Sequence, residues 1–331
     1  MASTPERHVE TFIHPNYRLG RRPHDPDRPV LKLGPLLTGV VPDHPATADH
    51  LSLVPPSRWG MLGNDKYGDC GPADVFHDRM LVAKYLADQD IYPDDNATFD
   101  LYKRSGNPNF PRDDNGVVMA DMLDEVHKNG IKSGGKMVTC VAYAQVNVAD
   151  LDEVHAAIAI FGSLSTGSDL QRIQSDQTSA GEPWDYDPNS QEWGGHAHLT
   201  GLYTSGTSGP RPGLGGVSWG APVSYTDRWW AHCAQEAWVI IWPEHLTNRS
   251  FLTGVDQTLL AKNYKILTGR DLPTAPTPAP TPVPTGTITA AQQAANANLA
   301  TQAHAWLKYS HVGINGDLAR VLNTWVNAWG L

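Results

Sequence analysis

The residues best suited to chemistry are a cysteine and a pair of histidines that lie far apart in the sequence. Cys70 follows a polar, glycine-containing stretch, and His196 and His198 lie far downstream in the run GGHAHLTG. A thiol attacks as the thiolate, and a histidine that the fold brings beside it can take its proton. Residues i and i+2 of a strand share a face, so either histidine could be the base. The sequence therefore predicts a thiol nucleophile paired with a histidine.

The element that must position Cys70 is a helix. Apolar residues recur at nearly helical spacing after it, which predicts that a helix begins within one or two residues of the sulfur; they are Val75, Phe76, Met80, Ala83 and Leu86. A helix N-terminus favours the thiolate. We therefore expect Cys70 to have a pKa below that of a free thiol, and to be alkylated faster than Cys140 or Cys233.

The alternative is that Cys70 is an ordinary core cysteine, since free cysteines are among the most buried residues. The residues before it are polar, with Asn64, Asp65, Lys66 and Asp69 close by. Apolar packing would not select such neighbours. The nucleophile interpretation is the favoured one.

The segments around Cys70 carry a resemblance to a known family. WGMLGN at residues 59–64 and DCGPA at residues 69–73 resemble the nucleophile segment of papain-like cysteine peptidases. The DCGPA core also resembles the peptidase domains of bacteriocin-exporting transporters. In both families a glutamine six residues before the cysteine donates to the oxyanion, and this chain has Asn64 there. The resemblance implies that Asn64 and the Cys70 backbone N–H stabilise an oxyanion.

The histidine strand is similar to the same family and implies that His196 is the base. The family then carries Asn-Ser-Trp-Gly, where this chain has Val217 followed by Ser218 and Trp-Gly. Valine cannot orient an imidazole. Ser218, a water molecule or a backbone carbonyl could do so, and the sequence leaves these open.

The order of predicted elements implies an α+β class with the papain-like peptidase fold. Helices come first, one of them after Asp114-Asn115-Gly116 and ending near Gly130, and another ending at Gly162. Strands follow, including the histidine strand, a strand at Ser218-Trp219-Gly220 and the apolar run AWVIIW at 237–242, ended by proline. Helices followed by antiparallel strands are typical of α+β proteins.

Composition narrows the function classes. With 331 residues and 40% hydrophobic content, the chain can form one large domain with appendages. Its net charge of -10 disfavours nucleic acid as a partner. Three cysteines predict neither a disulfide framework nor a zinc finger. No stretch suits a membrane span or a signal peptide, so we expect synthesis in the cytoplasm.

The two histidines are also candidates for a metal site. His196 and His198 could share a cation, but the nearest acid is Glu192 and no thiolate lies close in sequence. The sequence predicts no metal and no cofactor.

The two ends of the chain predict appendages around a papain-like domain at residues 51–270. Residues 1–50 are a proline- and arginine-rich arm that must lie on the main domain or on another subunit. Residues 271–287 form a Pro/Thr-rich linker. Residues 288–331 form a helical hairpin whose three tryptophans it cannot bury alone, so we expect either packing on the main domain or docking to a protein partner.

Two functions compete at this point. One is an active peptidase or amidase acting on a peptide or peptidoglycan-like substrate, associated with a phage particle or a cell wall. The other is a weakly active or inactive structural or binding protein of a phage virion, such as a minor tail protein, on the same fold. The arrangement resembles papain-like proteins encoded by actinobacteria and their phages, some of them virion-associated. Arm and hairpin are the expected protein contacts.

Overall fold

The computed structural model describes residues 14–39, 44–205 and 213–274. The helices are α1 (Cys70–Ala87), α2 (Asp95–Arg104), α3 (Met119–Asn129), α4 (Leu151–Phe161), α5 (Ile173–Ala180), α6 (Asp227–Cys233), α7 (Arg249–Gly254) and α8 (Gln257–Thr268). The strands are β1 (Arg21–Arg22), β2 (Thr47–Asp49), β3 (Val117–Val118), β4 (Ile131–Ser133), β5 (Lys136–Val138), β6 (Ala142–Val146), β7 (Leu164–Gln171), β8 (Glu192–Thr204), β9 (Leu214–Ser218), β10 (Ala221–Tyr225) and β11 (Ala234–Ile241).

One large antiparallel sheet organises the domain. Its order is β10-β9-β8-β7-β11-β6, and β2 adds to β8. Helices α1 to α3 precede strands β6 to β11 in the chain, and the mixture of helices with this antiparallel sheet confirms the predicted α+β class. The long strand β8 lies centrally and carries both histidines, so their positions are fixed by neighbours on either side.

Helix ends follow the local signals in the sequence. Asp94 and Asp150 accept hydrogen bonds from the first backbone N–H groups of α2 and α4, as N-cap residues do. Gly130 follows α3 with φ of 74°, and Gly162 follows α4 with φ of 92°. Glycine is favoured in this conformation because it has no Cβ. The two predicted helix ends are confirmed.

Strand β11 is buried on both faces, as its unbroken apolar sequence predicted. Ala237, Val239 and Ile241 belong to the cluster that includes α4, whereas Trp238 and Ile240 belong to the cluster that includes Cys70, α1 and α3. Side chains alternate between the faces of a strand, so one strand joins two cores. It begins at Ala234, three residues earlier than predicted.

The strand predicted at Ser218-Trp219-Gly220 needs correction. Strand β9 ends at Ser218, and Trp219 and Gly220 have φ of 47° and 72°. Two consecutive positive φ angles form the tight turn that suits a two-residue hairpin, here between β9 and β10. Ser218 pairs with Ala221 across it.

The described part of the N-terminal arm lies on the main domain. Leu31, Leu33, Leu36 and Leu37 are buried in its core. Two backbone hydrogen bonds join Gln145 of β6 to Leu31 and Leu33. Gly34–Leu36 form a single turn of 3-10 helix, and Leu37 then makes one β-bridge with Val255.

The predicted hairpin at 288–331 and the linker beyond residue 274 lie outside the described residues. Among the helices that the structure describes, none is long and apolar enough to cross a membrane.

Candidate active site

The nucleophile candidate sits at the start of a buried helix. Cys70 is the first residue of α1, which confirms the predicted helix start. The turn before it is fixed because the Gly68 N–H donates to Asp114 Oδ1 (2.8 Å), and the Tyr102 hydroxyl donates to the same oxygen (2.7 Å). The sulfur therefore has a defined position at the helix N-terminus.

Cys70 is enclosed more completely than the sequence suggested. It is 1% exposed, and the polar neighbours Asn64 and Asp69 are themselves buried. The Ala197 N–H donates to Cys70 Sγ at 3.4 Å. This contact places the sulfur beside β8, next to the residue that follows His196.

The state of the thiol contradicts the expected low pKa. Burial raises the pKa of Cys70 to about 12, and the carboxyl groups of Asp69 and Asp74 add to this, while backbone hydrogen bonds from Ala197 and Gly20 oppose it. The helix N-terminus does not compensate for lost solvation. In this conformation Cys70 is a neutral thiol.

His196 has one ring nitrogen in use and one free. Its Nε2 and the Ser218 hydroxyl lie 2.8 Å apart in a hydrogen bond, and its ring stacks on Trp219 at a centroid distance of 4.3 Å. Its Nδ1 is buried and has no hydrogen-bond partner. Burial, with a smaller contribution from His198, lowers the pKa of His196 well below its usual value. The ring is therefore neutral and held in place, with Nδ1 free.

His198 is held from both sides. Its Nε2 is 2.8 Å from the Ser168 hydroxyl, and its Nδ1 is 2.9 Å from the Tyr225 hydroxyl. Burial lowers the pKa of His198 to about 3. A ring with both nitrogens bonded has no free site for a proton from a thiol. Of the two rings, His196 is the one that keeps a ring nitrogen without a hydrogen-bond partner.

Of the three candidates to orient the imidazole, the structure places Ser218 at His196. The preceding Val217 is fully buried among Leu199, Met80 and other apolar residues. Successive residues of β9 point to opposite faces, so Val217 and Ser218 face different ways.

Asn64 lies near the nucleophile turn, but its amide is engaged. Its Nδ2 donates to the Tyr67 carbonyl (2.9 Å), and its backbone carbonyl accepts from the Arg18 N–H (3.1 Å). One amide hydrogen thus braces the turn before Cys70. The Asn64 side chain also lies beside the Asp69 carboxyl. The oxyanion role that the resemblance implies for Asn64 stays a prediction.

A segment that sequence reasoning did not connect with the site crosses over it. The Gly20 N–H donates to the Gly195 carbonyl (3.2 Å), and the Gly20 carbonyl accepts from the Val117 N–H (2.7 Å). Trp219 Nε1 donates to the Arg18 carbonyl (3.1 Å). Residues 18–22 therefore bridge the helical side and the sheet side of the site. Gly20 is the residue that makes this crossing possible, because a Cβ at that position would lie 1.8 Å from the Gly68 carbonyl oxygen.

Two ionisable residues near the site, Arg21 and Asp69, had no role assigned from the sequence. Arg21 is buried and donates to Glu236 (2.8 Å) and Asp169 (2.8 Å), which anchors the crossing segment to the sheet. Asp69 is fully buried, and neither carboxyl oxygen has a hydrogen-bond partner. Burial raises the pKa of Asp69 to about 8, so it is largely protonated at neutral pH.

His196 and His198 belong to no group of three potential metal ligands among the described residues. The one such group there comprises His44, Asp152 and His155.

Comparison with known proteins identifies the architecture. No family model matches the sequence, and no curated protein matches it. The structure is similar to xylellain, a cysteine protease from Xylella fastidiosa, with 15% identity and a TM-score of 0.53, over 70% of this chain and 99% of that chain. It is also similar to procathepsin B of Trypanosoma congolense, with 9% identity and a TM-score of 0.50, over 68% of this chain and 86% of that chain. At these identities the similarity shows the fold, and the chain has the fold of the papain-like cysteine proteases.

Proposed function

We propose that this protein is a thiol hydrolase that cleaves peptide or amide bonds through Cys70 and His196. One observation carries the proposal. Cys70 Sγ touches the backbone of Ala197, and the adjoining His196 is held by Ser218 through Nε2 while its buried Nδ1 has no partner. A buried polar atom without a partner is costly, and a catalytic role is one of the recognised reasons for retaining it.

The chemistry follows from the roles of these groups. His196 Nδ1 takes the Cys70 proton while the sulfur bonds to the carbonyl carbon of the substrate. The Cys70 backbone N–H and the Asn64 amide stabilise the oxyanion. The imidazolium then protonates the departing amine as the C–N bond breaks. Water hydrolyses the thioester, with His196 again taking and returning a proton.

The conformation described is a closed one. Residues 18–22 lie against Cys70 through the Gly20 backbone, and they bond to Gly195, Val117, Asn64 and Trp219. Removing this segment would admit water to Cys70 and lower its pKa, since burial is the main reason that the pKa is high. Activity therefore requires displacement of the segment by substrate, by a partner or by cleavage.

The substitution Gly20→Ala, which adds one methyl group, tests this proposal. In Gly20→Ala, the new Cβ would lie 1.8 Å from the Gly68 carbonyl oxygen, a backbone atom, so the segment must leave its place. We expect Cys70 alkylation by iodoacetamide to rise roughly tenfold or more, because the open conformation becomes the main one. Hydrolysis of a fluorogenic peptide should rise in parallel.

Gly60→Ala is the matched control. The atoms nearest to its Cβ would belong to Leu62, at an ordinary contact distance of 3.5 Å or more, so alkylation should not change. The proposal fails if Gly20→Ala stays folded by circular dichroism and its Cys70 is alkylated quickly, yet no peptide or amide is cleaved.

That outcome would support the second candidate, a binding or structural protein on the same fold. The enclosed neutral thiol and the segment bonded to both sides of the site favour it. Association with a phage particle or cell wall, a peptidoglycan-like substrate and a protein partner for the hairpin stay predictions from the sequence. The comparisons lend the phage association no support.

A further inference from the structure

A cluster of potential metal ligands lies outside the candidate active site. His44 precedes β2, and Asp152 and His155 lie in the first turns of α4. Asp152 and His155 are three residues apart on a helix and therefore share a face. The ligating atoms that the three residues offer lie within 4.8 Å of one another.

His155 is the buried member of the cluster. It is 7% exposed, and its Nδ1 has no hydrogen-bond partner. Its ring stacks on Tyr203 at 4.3 Å and meets the His44 ring edge-on at 5.5 Å. Stacking fixes the ring plane but leaves the nitrogen unsatisfied, which is the state of a histidine that lacks its ligand.

The His44 ring is held through one nitrogen, as metal-binding histidines often are. Its Nδ1 lies 3.1 Å from the Pro45 carbonyl, which also accepts from the Tyr203 hydroxyl at 2.8 Å. When Nδ1 donates to that carbonyl, Nε2 carries the lone pair. Metal-binding histidines commonly donate their other N–H to a backbone carbonyl in this way.

The local charge also suits a cation. The N-terminus of a helix repels cations, but α4 carries Asp150, Asp152 and Glu153 in and before its first turn. Asp152 is exposed and His44 is half-buried, so both can move. A tetrahedral zinc site needs ligand atoms about 3.4 Å apart, as follows from metal-ligand distances near 2.1 Å. Side-chain rotations that move the ligating atoms by about 1 Å would bring them to this spacing.

We propose that His44, Asp152 and His155 bind a zinc ion, with water at the fourth position. Two imidazoles and one carboxylate favour zinc over calcium and magnesium, which prefer oxygen ligands. The ion would join the segment before β2 to α4, two parts of the chain that are far apart in sequence. Its effect would be to fix the N-terminal arm on the domain, and it does not depend on activity at Cys70.

The test uses the full chain with Cys70→Ser, which removes the thiol as a competing zinc ligand. Zinc binding is measured by isothermal titration calorimetry, and cobalt is added separately to follow its visible absorption. We expect one equivalent of zinc to bind and to raise the melting temperature as its concentration rises. In the same background His155→Ala should weaken binding by roughly a hundredfold, and Asp152→Asn by at least about tenfold.

Two matched control variants show whether a loss of zinc binding is specific to the three proposed ligands. His232→Ala removes an exposed histidine that stacks on Tyr186, and Asp176→Asn removes an exposed carboxylate in α5. Both should bind zinc as the parent does. If His155→Ala does not fold, the exposed Asp152 variant decides the matter. The proposal is overturned if the parent binds no zinc, or if Asp152→Asn binds as tightly as Asp176→Asn.

Discussion

His196 and His198 lie two residues apart on one strand, face the same side and are both almost completely buried. Their hydrogen bonds differ. His198 is bonded to Ser168 and Tyr225 through its two nitrogens, whereas His196 is bonded to Ser218 through one nitrogen only. Burial lowers the pKa of both rings, so both are neutral.

The difference shows how one strand can carry a histidine with both nitrogens bonded and a histidine that keeps one nitrogen free. A histidine with two hydroxyl partners contributes to stability and has no nitrogen left for another proton. A histidine with one partner is oriented and still able to react. The free nitrogen distinguishes the two rings, because their sequence setting and burial are alike.

The largest expected effect is on activity. His196→Ala should reduce peptide hydrolysis by roughly a thousandfold or more, measured in the Gly20→Ala background, because the proton acceptor is lost. His198→Ala should retain most of the rate in the protein that remains folded. Equal losses in two well-folded variants would remove the distinction between the rings.

The second-largest expected effect is on stability, and here His198→Ala is expected to be more damaging than His196→Ala. His198→Ala removes one partner from each of two hydroxyls, those of Ser168 and Tyr225, although Tyr225 keeps its bond to the Leu199 carbonyl. His196→Ala removes a partner from the Ser218 hydroxyl only. We expect the free energy of unfolding to fall further for His198→Ala, by about 1 to 3 kcal/mol. Urea denaturation of both variants measures the difference, and a greater loss for His196→Ala would contradict it.

Acid should weaken the structural contribution of His198. Its folded pKa is about 3, below the value of about 6.5 for a free histidine. Between these pH values the unfolded chain binds the proton and the folded protein does not, so stability is lost as pH falls.

The comparison of wild type with His198→Asn isolates this contribution from that of buried carboxyls. The stability cost of the substitution should be largest at pH 7 and shrink below pH 6.5, by at most about 1.4 kcal/mol per pH unit. Urea titrations of both proteins at several pH values measure it. A cost that is constant from pH 7 to pH 4.5 would show that His198 is not held neutral.

The smallest expected effect concerns the hydroxyl partners. Ser218→Ala should lower the turnover number roughly three- to tenfold, because the His196 ring loses its orienting bond while nucleophile and base remain. Ser168→Ala removes the corresponding bond from His198 and should leave turnover unchanged. Steady-state kinetics of the pair would show whether Ser218 orients the base.

Much of the framework was predictable because its signals are local. The helix after Cys70, the glycines that end α3 and α4, and the apolar run of β11 each act within a few residues of their signal. Helix spacing, caps and strand alternation depend on neighbouring residues, so a single sequence carries them. The papain-like fold followed from these elements and from the resemblance around Cys70.

The site itself was only partly predictable. The sequence placed Cys70 at a helix start, but its polar neighbours suggested an exposed, acidic thiol. Asn64 and Asp69 are instead buried with it. The Asn64 amide is hydrogen-bonded within the turn, and burial raises the pKa of Asp69, which favours its neutral form. The motif around Val217 suggested a missing orienting group, and the alternation of β9 places Ser218 at the imidazole instead.

The sequence by itself determined which residue types are available, where helix α1 begins and where α3 and α4 end. Tertiary structure decided which histidine keeps a free nitrogen, how deeply Cys70 is buried, and that residues 18–22 cross the site. The pairs responsible, Cys70 with Ala197, Gly20 with Gly195 and His198 with Ser168, are far apart in the chain. Such contacts depend on the packing of whole elements, and no local pattern of residues specifies them.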